Sequence, residues 1–249
     1  MTQLHRPELF KKKPDAVLFD TDNTLYPYDP SHAEGHKAVR TKAMSLFSIT
    51  APQFEEAFAR ARKETKLRLG ETSGSHSRLL YFQRMLELIG LGSQVLLALD
   101  LEQTYWRTFL THATLFPGVK EFLDDLRLAG IPTAVVTDLT AQIQFRKIVY
   151  FGLDQYFDYI VTSEEAGFDK PHRAPFALAV EKMRPRGDCI WMIGDNPHND
   201  ILGARREIGA VTLQKMHAGV IAGKGDEQPD GSFSDFSQLS DLLETWSDR

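Results

Sequence analysis

The chain has 249 residues, enough to bury a sizeable core in one large domain or in one domain plus a smaller partner. Its 29 basic and 34 acidic side chains give a formal net charge of -5, which argues against a protein built to coat a nucleic acid polymer. The single cysteine excludes an intramolecular disulfide and fits a reducing compartment, and nowhere do about 18 apolar residues run together, so no membrane span is expected.

The opening MTQLHRPELFKKK has no apolar core of the kind a secretory signal needs, and the expectation is a cytoplasmic protein. The first strand is read at Ala16 to Phe19, a short apolar run ending in polar residues. From Pro27 to Phe116 no strand is convincing, but helical spacing recurs. Phe54, Phe58, Ala61 and Thr65 share one face, then Leu79, Phe82, Leu86 and Ile89, then Leu96, Leu99, Trp106 and Leu110, with breaks at Gly70 to Ser75 and Gly90 to Ser93. Beyond it, helical patterns at Val119 to Leu128, Ala141 to Tyr150, Ala174 to Met183 and His198 to Ile208 alternate with apolar runs. Those runs are Thr133 to Val136, Tyr159 to Val161, Ile190 to Ile193 and Ala210 to Leu213. Cys189 adjoins one of them and reads as a small buried hydrophobe. Residues 222–234 read as a loop before a last helix, Leu239 to Trp246.

Uninterrupted apolar strands suit a sheet buried on both faces, and strand–helix alternation is the signature of an α/β, doubly wound parallel sheet. The economical division is an α/β core over 1–26 and 116–249 with a helical bundle, 27–115, inserted after the first strand.

Chemistry-bearing residues gather where these strands end. Phe19-Asp20-Thr21-Asp22-Asn23-Thr24 sets two carboxylates two residues apart at the carboxyl edge, where open α/β sheets bind ligands. Burying like charges so close is costly unless a cation offsets them. Thr137, ending the second strand, offers a hydroxyl, although a threonine there can equally cap the next helix. Lys170 follows the third strand and supplies a compact positive charge suited to phosphate. Ile193-Gly194-Asp195-Asn196-Pro197-His198-Asn199-Asp200 adds carboxylates after the fourth, with Gly194 permitting close backbone approach. Asp20, Asp195 and Asp200 could supply the oxygen ligands that magnesium prefers. Each fragment alone is weak; four in order at four strand ends are not.

These motifs resemble those of the haloacid dehalogenase superfamily: DTDNT, the Thr137 position, Lys170-Pro171 and GDNPHND, over about residues 15–213. The inserted helices resemble its class I cap, and DNTLYP is similar to the branch that contains pyrimidine 5′-nucleotidases. The resemblance implies a Mg²⁺-dependent phosphatase acting on a small phosphorylated metabolite, a nucleotide monophosphate or a sugar phosphate; monomer and homodimer both stay open, since exposed aromatic residues of the insert could build a dimer contact. Asp20 would be the nucleophile, forming an aspartyl-phosphate, and Asp22 the general acid and base, its backbone carbonyl also reaching the metal. Thr137, the Asp138 amide and Lys170 would hold the phosphoryl oxygens. Asp195 would bind the metal with Asp200 behind it, Asn199 being near enough to compete. Three departures stand out. Asn23 replaces a common glycine, and Asp138 stands where asparagine is frequent, so its side chain is expected to turn away from the phosphate. His172-Arg173 replaces Asp-Pro.

The nearest alternatives are a 2-haloacid dehalogenase, in which Asp22 would have no task, and a phosphomutase, which differs in what accepts the phosphoryl group. A catalytically idle binding module would require a lost catalytic position, and none is lost. In the insert, Arg78 is a candidate contact for an anionic substrate or a plain surface arginine. Tyr26 and Tyr28 could line the pocket or simply pack.

Overall fold

Each of the five apolar runs forms a strand in the structure, a computed structural model that describes residues 2–246. In chain order the elements are β1 (Gln3–Leu4), β2 (Ala16–Phe19), α1 (Tyr28–Phe47), α2 (Ala51–Leu69), α3 (Arg78–Leu88), α4 (Val95–Thr111), α5 (Val119–Leu128), β3 (Thr133–Thr137), α6 (Ala141–Tyr150) and β4 (Tyr159–Thr162). The single turn α7 (Ser163–Ala166), α8 (Arg173–Met183), β5 (Ile190–Gly194), α9 (Gly203–Ile208), β6 (Val211–Lys215), β7 (Gly231–Phe233) and α10 (Ser237–Glu244) complete the chain. One unit is built from the chain up to Pro27 and from Thr114 onward; Tyr28–Ala113 forms the other.

The first unit is one sheet in the order β1-β7-β6-β5-β2-β3-β4, with every neighbour parallel except β1 against β7. Alternate residues of a strand point to opposite faces. Ala16 and Leu18 therefore join Ala134, Val136, Ile190 and Met192 in a core closed by Phe176, Ala179 and Met183 of α8 and Ala204 of α9. Phe19, on the other face, meets Phe122 of α5 edge-on at 6.1 Å, and Phe122 in turn lies 5.9 Å from Phe236. Helices thus cover both faces, which is why the strands read as unbroken apolar runs.

The second unit holds α1 to α4, with α1 packed on α4 and α2 on α3. Its core is aromatic. The Phe54, Phe58, Phe82, Tyr105 and Phe109 rings form a chain with centroids 5.6 to 6.3 Å apart. The expected face of α2 is buried throughout, but the faces of α3 and α4 are rotated from expectation. On α3 the buried set is Tyr81, Phe82, Met85 and Leu86. On α4 it is Ala98, Leu101, Thr104, Tyr105, Trp106 and Phe109, whereas Leu96 is 82% exposed and Leu99 39%. Large rings carry more apolar area than leucine, so they took the interior, their hydroxyls finding partners there. Tyr105 OH, for example, lies 2.6 Å from His32 Nδ1.

Three other expectations are corrected. The supposed loop 222–234 contains β7, held between β6 and β1; a three-residue strand completed by a segment near the chain start has no local signature. The helix expected from His198 begins as a π-helical turn over Pro197–Leu202, in which the Ile201 amide donates to the Asn196 carbonyl five residues back at 3.2 Å; the Asn196 side-chain oxygen caps this turn, accepting from the His198 and Asn199 amides at 3.0 and 2.9 Å. The last helix starts two residues earlier than read, where Asp235 Oδ1 accepts the Ser237 amide at 2.9 Å. No helix among the described residues is long and apolar enough to cross a membrane.

Candidate active site

Four side chains from three parts of the chain meet at the carboxyl rim of the central strands. β2 and β5 are hydrogen-bonded neighbours with Phe19 opposite Ile193, so the next residues, Asp20 and Asp195 after Gly194, leave the same edge. The register continues past the strand, since the Asp20 amide donates to the Ile193 carbonyl at 2.9 Å. The π-helical turn swings Asp200 back toward them. Asp20, Asp195 and Asp200 each place a carboxylate oxygen within 4.8 Å of the others. Lys170, 5% exposed, sets its Nζ 2.7 Å from both Asp20 Oδ1 and Asp200 Oδ1. The remaining oxygens are occupied as well: Thr24 Oγ1 donates to Asp20 Oδ2 at 3.2 Å, and the Asn196 amide to Asp200 Oδ2 at 3.0 Å. Gly194 makes room for this. A Cβ there would lie 2.4 Å from Asp200 Cβ.

Electrostatics follow from crowding acids in a dry place. Burial pushes Asp20 up to about 7; Lys170 opposes that, and Asp200 and Asp22 add to it. Burial, with Asp200 and Asp20 beside it, pushes Asp195 up to about 9. Burial works against the Lys170 ammonium, but Asp20, Asp200 and Asp138 outweigh it and hold its pKa well above the ordinary value. Once ionised, three carboxylates against one ammonium form a net negative, all-oxygen donor set, and a bound cation would offset the repulsion that helps raise their pKa values. The chemistry of this set fits a hard divalent cation of the magnesium type, which the residues present could hold.

Asp22 belongs to a second cluster. The chain turns after Asp20, with the Thr24 and Leu25 amides donating to the Thr21 carbonyl at 3.3 and 2.9 Å. Asn23 sits in the left-handed region at φ 61°, a conformation glycine adopts freely and asparagine tolerates. This explains its place in the motif. The Asp22 carboxylate receives Lys147 Nζ at 2.7 and 3.0 Å on its two oxygens, and Tyr26 OH on Oδ1. Its side chain is not one of the three converging carboxylates.

Thr137 is buried at the end of β3, its Oγ1 2.8 Å from Thr21 Oγ1. It does not cap α6, whose N-cap is Thr140. Asp138 turns its Oδ1 to the Lys170 amide at 2.9 Å, and burial, opposed by Lys170, pushes its pKa up to about 6. Leu139 stands at φ 103°, pinned by Ser163 Oγ, which accepts its amide at 2.9 Å. His172 Nδ1 accepts the Ala174 amide at 3.1 Å and so caps α8. Asn199 gives its amide to Asn196, whereas Asp200 joins Asp20 and Asp195.

One residue of the site, Lys147, escapes a reading of the sequence. Lys147 looks like a basic residue placed to complement the C-terminal end of α6, the ordinary use of lysine there. It is in fact 1% exposed. The one available signal was a polar pair, Gln144 and Lys147, on the face of α6 that buries Ile143 and Ile148. Tyr26, which the sequence places equally well in the pocket or in packing, is buried and donates its hydroxyl to Asp22. Arg78, in the helical unit, is not a surface arginine: its guanidinium lies 5.4 Å from the Tyr81 and Tyr105 ring centroids and 5.7 Å from that of Trp106, and donates to Tyr28 OH.

Comparison with known proteins adds to this geometry. A family described as haloacid dehalogenase-like hydrolase matches residues 14–206. Ribulose-1,5-bisphosphate 5-phosphatase of Halopiger xanaduensis is 36% identical over 236 residues, 92% of this chain and 98% of that protein. Glyceraldehyde 3-phosphate phosphatase of Methanopyrus kandleri is 30% identical over 199 residues, 80% of this chain and 82% of that one. Among solved structures, a 2-haloacid dehalogenase of Pseudomonas syringae superposes with TM-score 0.70 at 24% identity, over 94% of this chain and 100% of that one, a likeness of fold.

Proposed function

Because the chain belongs to the haloacid dehalogenase-like hydrolase family, we propose that it is a magnesium-dependent phosphatase of small sugar phosphates, with Asp20 as nucleophile. The observation that carries this reading is the meeting of Asp20, Asp195, Asp200 and Lys170 at one buried rim. The substrate class rests on the two relatives, whose names specify sugar and triose phosphates; this favours such substrates over nucleotide monophosphates.

Asp20, Asp195 and Asp200 would hold magnesium together with the Asp22 backbone carbonyl. When bound, the ion supplies positive charge to the phosphoryl oxygens. Lys170, the Thr137 hydroxyl and the Asp138 amide bind those oxygens and orient phosphorus toward Asp20. An Asp20 carboxylate oxygen attacks phosphorus, the bond from phosphorus to the ester oxygen breaks, and the Asp22 carboxyl proton passes to the departing oxygen. This leaves an aspartyl-phosphate and a free alcohol. Asp22, now a carboxylate, takes a proton from water as that water attacks phosphorus. The bond to Asp20 breaks, inorganic phosphate leaves, and Asp20 is restored as a carboxylate while Asp22 is again a protonated carboxyl. Asp138, committed to the Lys170 amide, sets the loop that presents the lysine.

Dehalogenation is the rival on this fold. A halide leaves carbon without needing a proton, so the carboxyl at Asp22, clamped by Lys147 and Tyr26, would have no task there. That clamp favours the phosphatase. The test is hydrolysis of p-nitrophenyl phosphate and a panel of sugar phosphates with magnesium and with EDTA. Asp20→Asn should lower turnover by at least about 10³-fold while its melting curve stays close to wild type. Near-wild-type turnover in that variant, or full activity in EDTA, would refute the reading.

A further inference from the structure

Helix α6 sends a lysine inward, and both oxygens of one carboxylate receive it. Lys147 is 1% exposed, and its Nζ lies 2.7 Å from Asp22 Oδ1 and 3.0 Å from Oδ2. Tyr26, also buried, donates its hydroxyl to Oδ1 and turns its ring toward the lysine, 5.8 Å from centroid to Nζ. Asp22 itself is 34% exposed on its side chain. A carboxylate that open to solvent would ordinarily exchange among rotamers. Here it is gripped on the protein side and open on the other.

Stability alone does not call for this lysine. Its helix face is otherwise apolar at Ile143 and Ile148, and a buried ion pair is often matched or bettered by apolar side chains of similar volume. Nor is it an isolated polar intrusion. Gln144, one turn earlier and fully buried, donates to the Asp138 carbonyl at 2.7 Å. One face of α6 thus ties down two residues that follow strands β2 and β3 at the reactive rim.

We propose that Lys147 is the positioning residue for proton transfer, holding Asp22 where it can give a proton to the departing oxygen and take one from water. The inference rests on the reading of Asp22 as general acid and base. Proton transfer requires the group within hydrogen-bond reach of its target, so a slack Asp22 slows steps that need it and spares those that do not.

The test uses the magnesium-loaded full chain and two substrates. An alkyl ester such as glycerol phosphate needs protonation to leave, whereas p-nitrophenolate leaves without it. Lys147→Met should lower kcat on the alkyl ester by roughly 100-fold with KM within about threefold. On p-nitrophenyl phosphate it should keep the first burst of product, and acid quenching should trap more phosphoenzyme than in wild type, because the water step lacks its base. Lys147→Arg, which restores a cation, should recover most of the alkyl rate. Should Lys147→Met fold poorly, Lys147→Gln should give the same substrate contrast.

In a folded Lys147 variant, a phosphoenzyme-forming burst on p-nitrophenyl phosphate slowed as much as turnover of the alkyl ester, or no loss on either substrate, overturns the inference. If Asp22→Asn discriminates between the substrates and no folded Lys147 variant does, the inference alone fails. If Asp22→Asn turns over both like wild type, the acid–base reading fails and the inference with it.

Discussion

At Gly194 a single hydrogen decides whether Asp200 can reach Lys170. A methyl would stand 2.4 Å from Asp200 Cβ and 2.5 Å from its Cγ and Oδ2, so the side chain that bonds Lys170 must move. Gly194→Ala should therefore cut kcat by roughly 100-fold, the scale of an ångström-sized misplacement at a reacting centre. Steady-state kinetics check this, and a kcat within about twofold of wild type would show that the placement of Asp200 does not matter. The need for close approach at Gly194 was legible from its place beside Asp195. Its partner was not, because Asp200 returns only through a π-helical turn that Asn196 caps. Asn23 was legible as a departure, and its φ of 61° gives the reason. Lys147 stayed hidden because a lysine near a helix C-terminus already has an ordinary explanation.

Among elements, the sheet edge formed by β6, β7 and β1 was the least legible and depends on one acid. Asp230, 1% exposed, accepts the Thr212 amide and hydroxyl at 2.7 and 2.9 Å and pairs with Arg6 at 3.1 Å and Arg205 at 3.3 Å. Nothing near Asp230 in sequence announces this; its partners come from the chain start, from α9 and from β6. Removing one member of a buried ionic network is far costlier than never having built it. Asp230→Ala should lose about 3–5 kcal/mol, read by chemical denaturation, while kcat at low temperature stays within a few-fold of wild type. A loss below about 1 kcal/mol would mean that solvent reaches the network. The central strands were legible for the opposite reason. Flanked on both faces, they must be apolar at every position, and β-branched runs say so locally. The helical unit was legible as helices but not as faces, since its core is chosen among aromatics and leucines that compete for one interior.

For the molecule as a whole, one buried lysine makes stability depend on alkalinity. Lys215 ends β6, donates to the Met216 and Ser234 carbonyls at 3.1 and 2.9 Å and stands 3.9 Å above the Phe116 ring. Burial, only partly opposed by Asp235, lowers its pKa from 10.5 to about 8. Between those values the unfolded chain keeps a proton that the folded chain has released. Raising pH through that window therefore favours folding, and below about 8 the penalty is constant. Lys215→Met, which does not titrate, should melt above wild type at pH 7, and the gap should narrow steadily toward pH 10. A gap that does not change with pH would refute the placement. Sequence reading gave no hint of this lysine, because a cation at a strand end is ordinarily solvated.

The pairing of Phe19 with Ile193 has a consequence for how such a protein can be remodelled by descent. It makes the place where Asp20 and Asp195 leave the sheet a property of interstrand hydrogen bonds, with neighbouring strands held about 4.8 Å apart whatever the side chains. Surrounding loops can then change in length and sequence while these two carboxylates keep their starting points on the sheet.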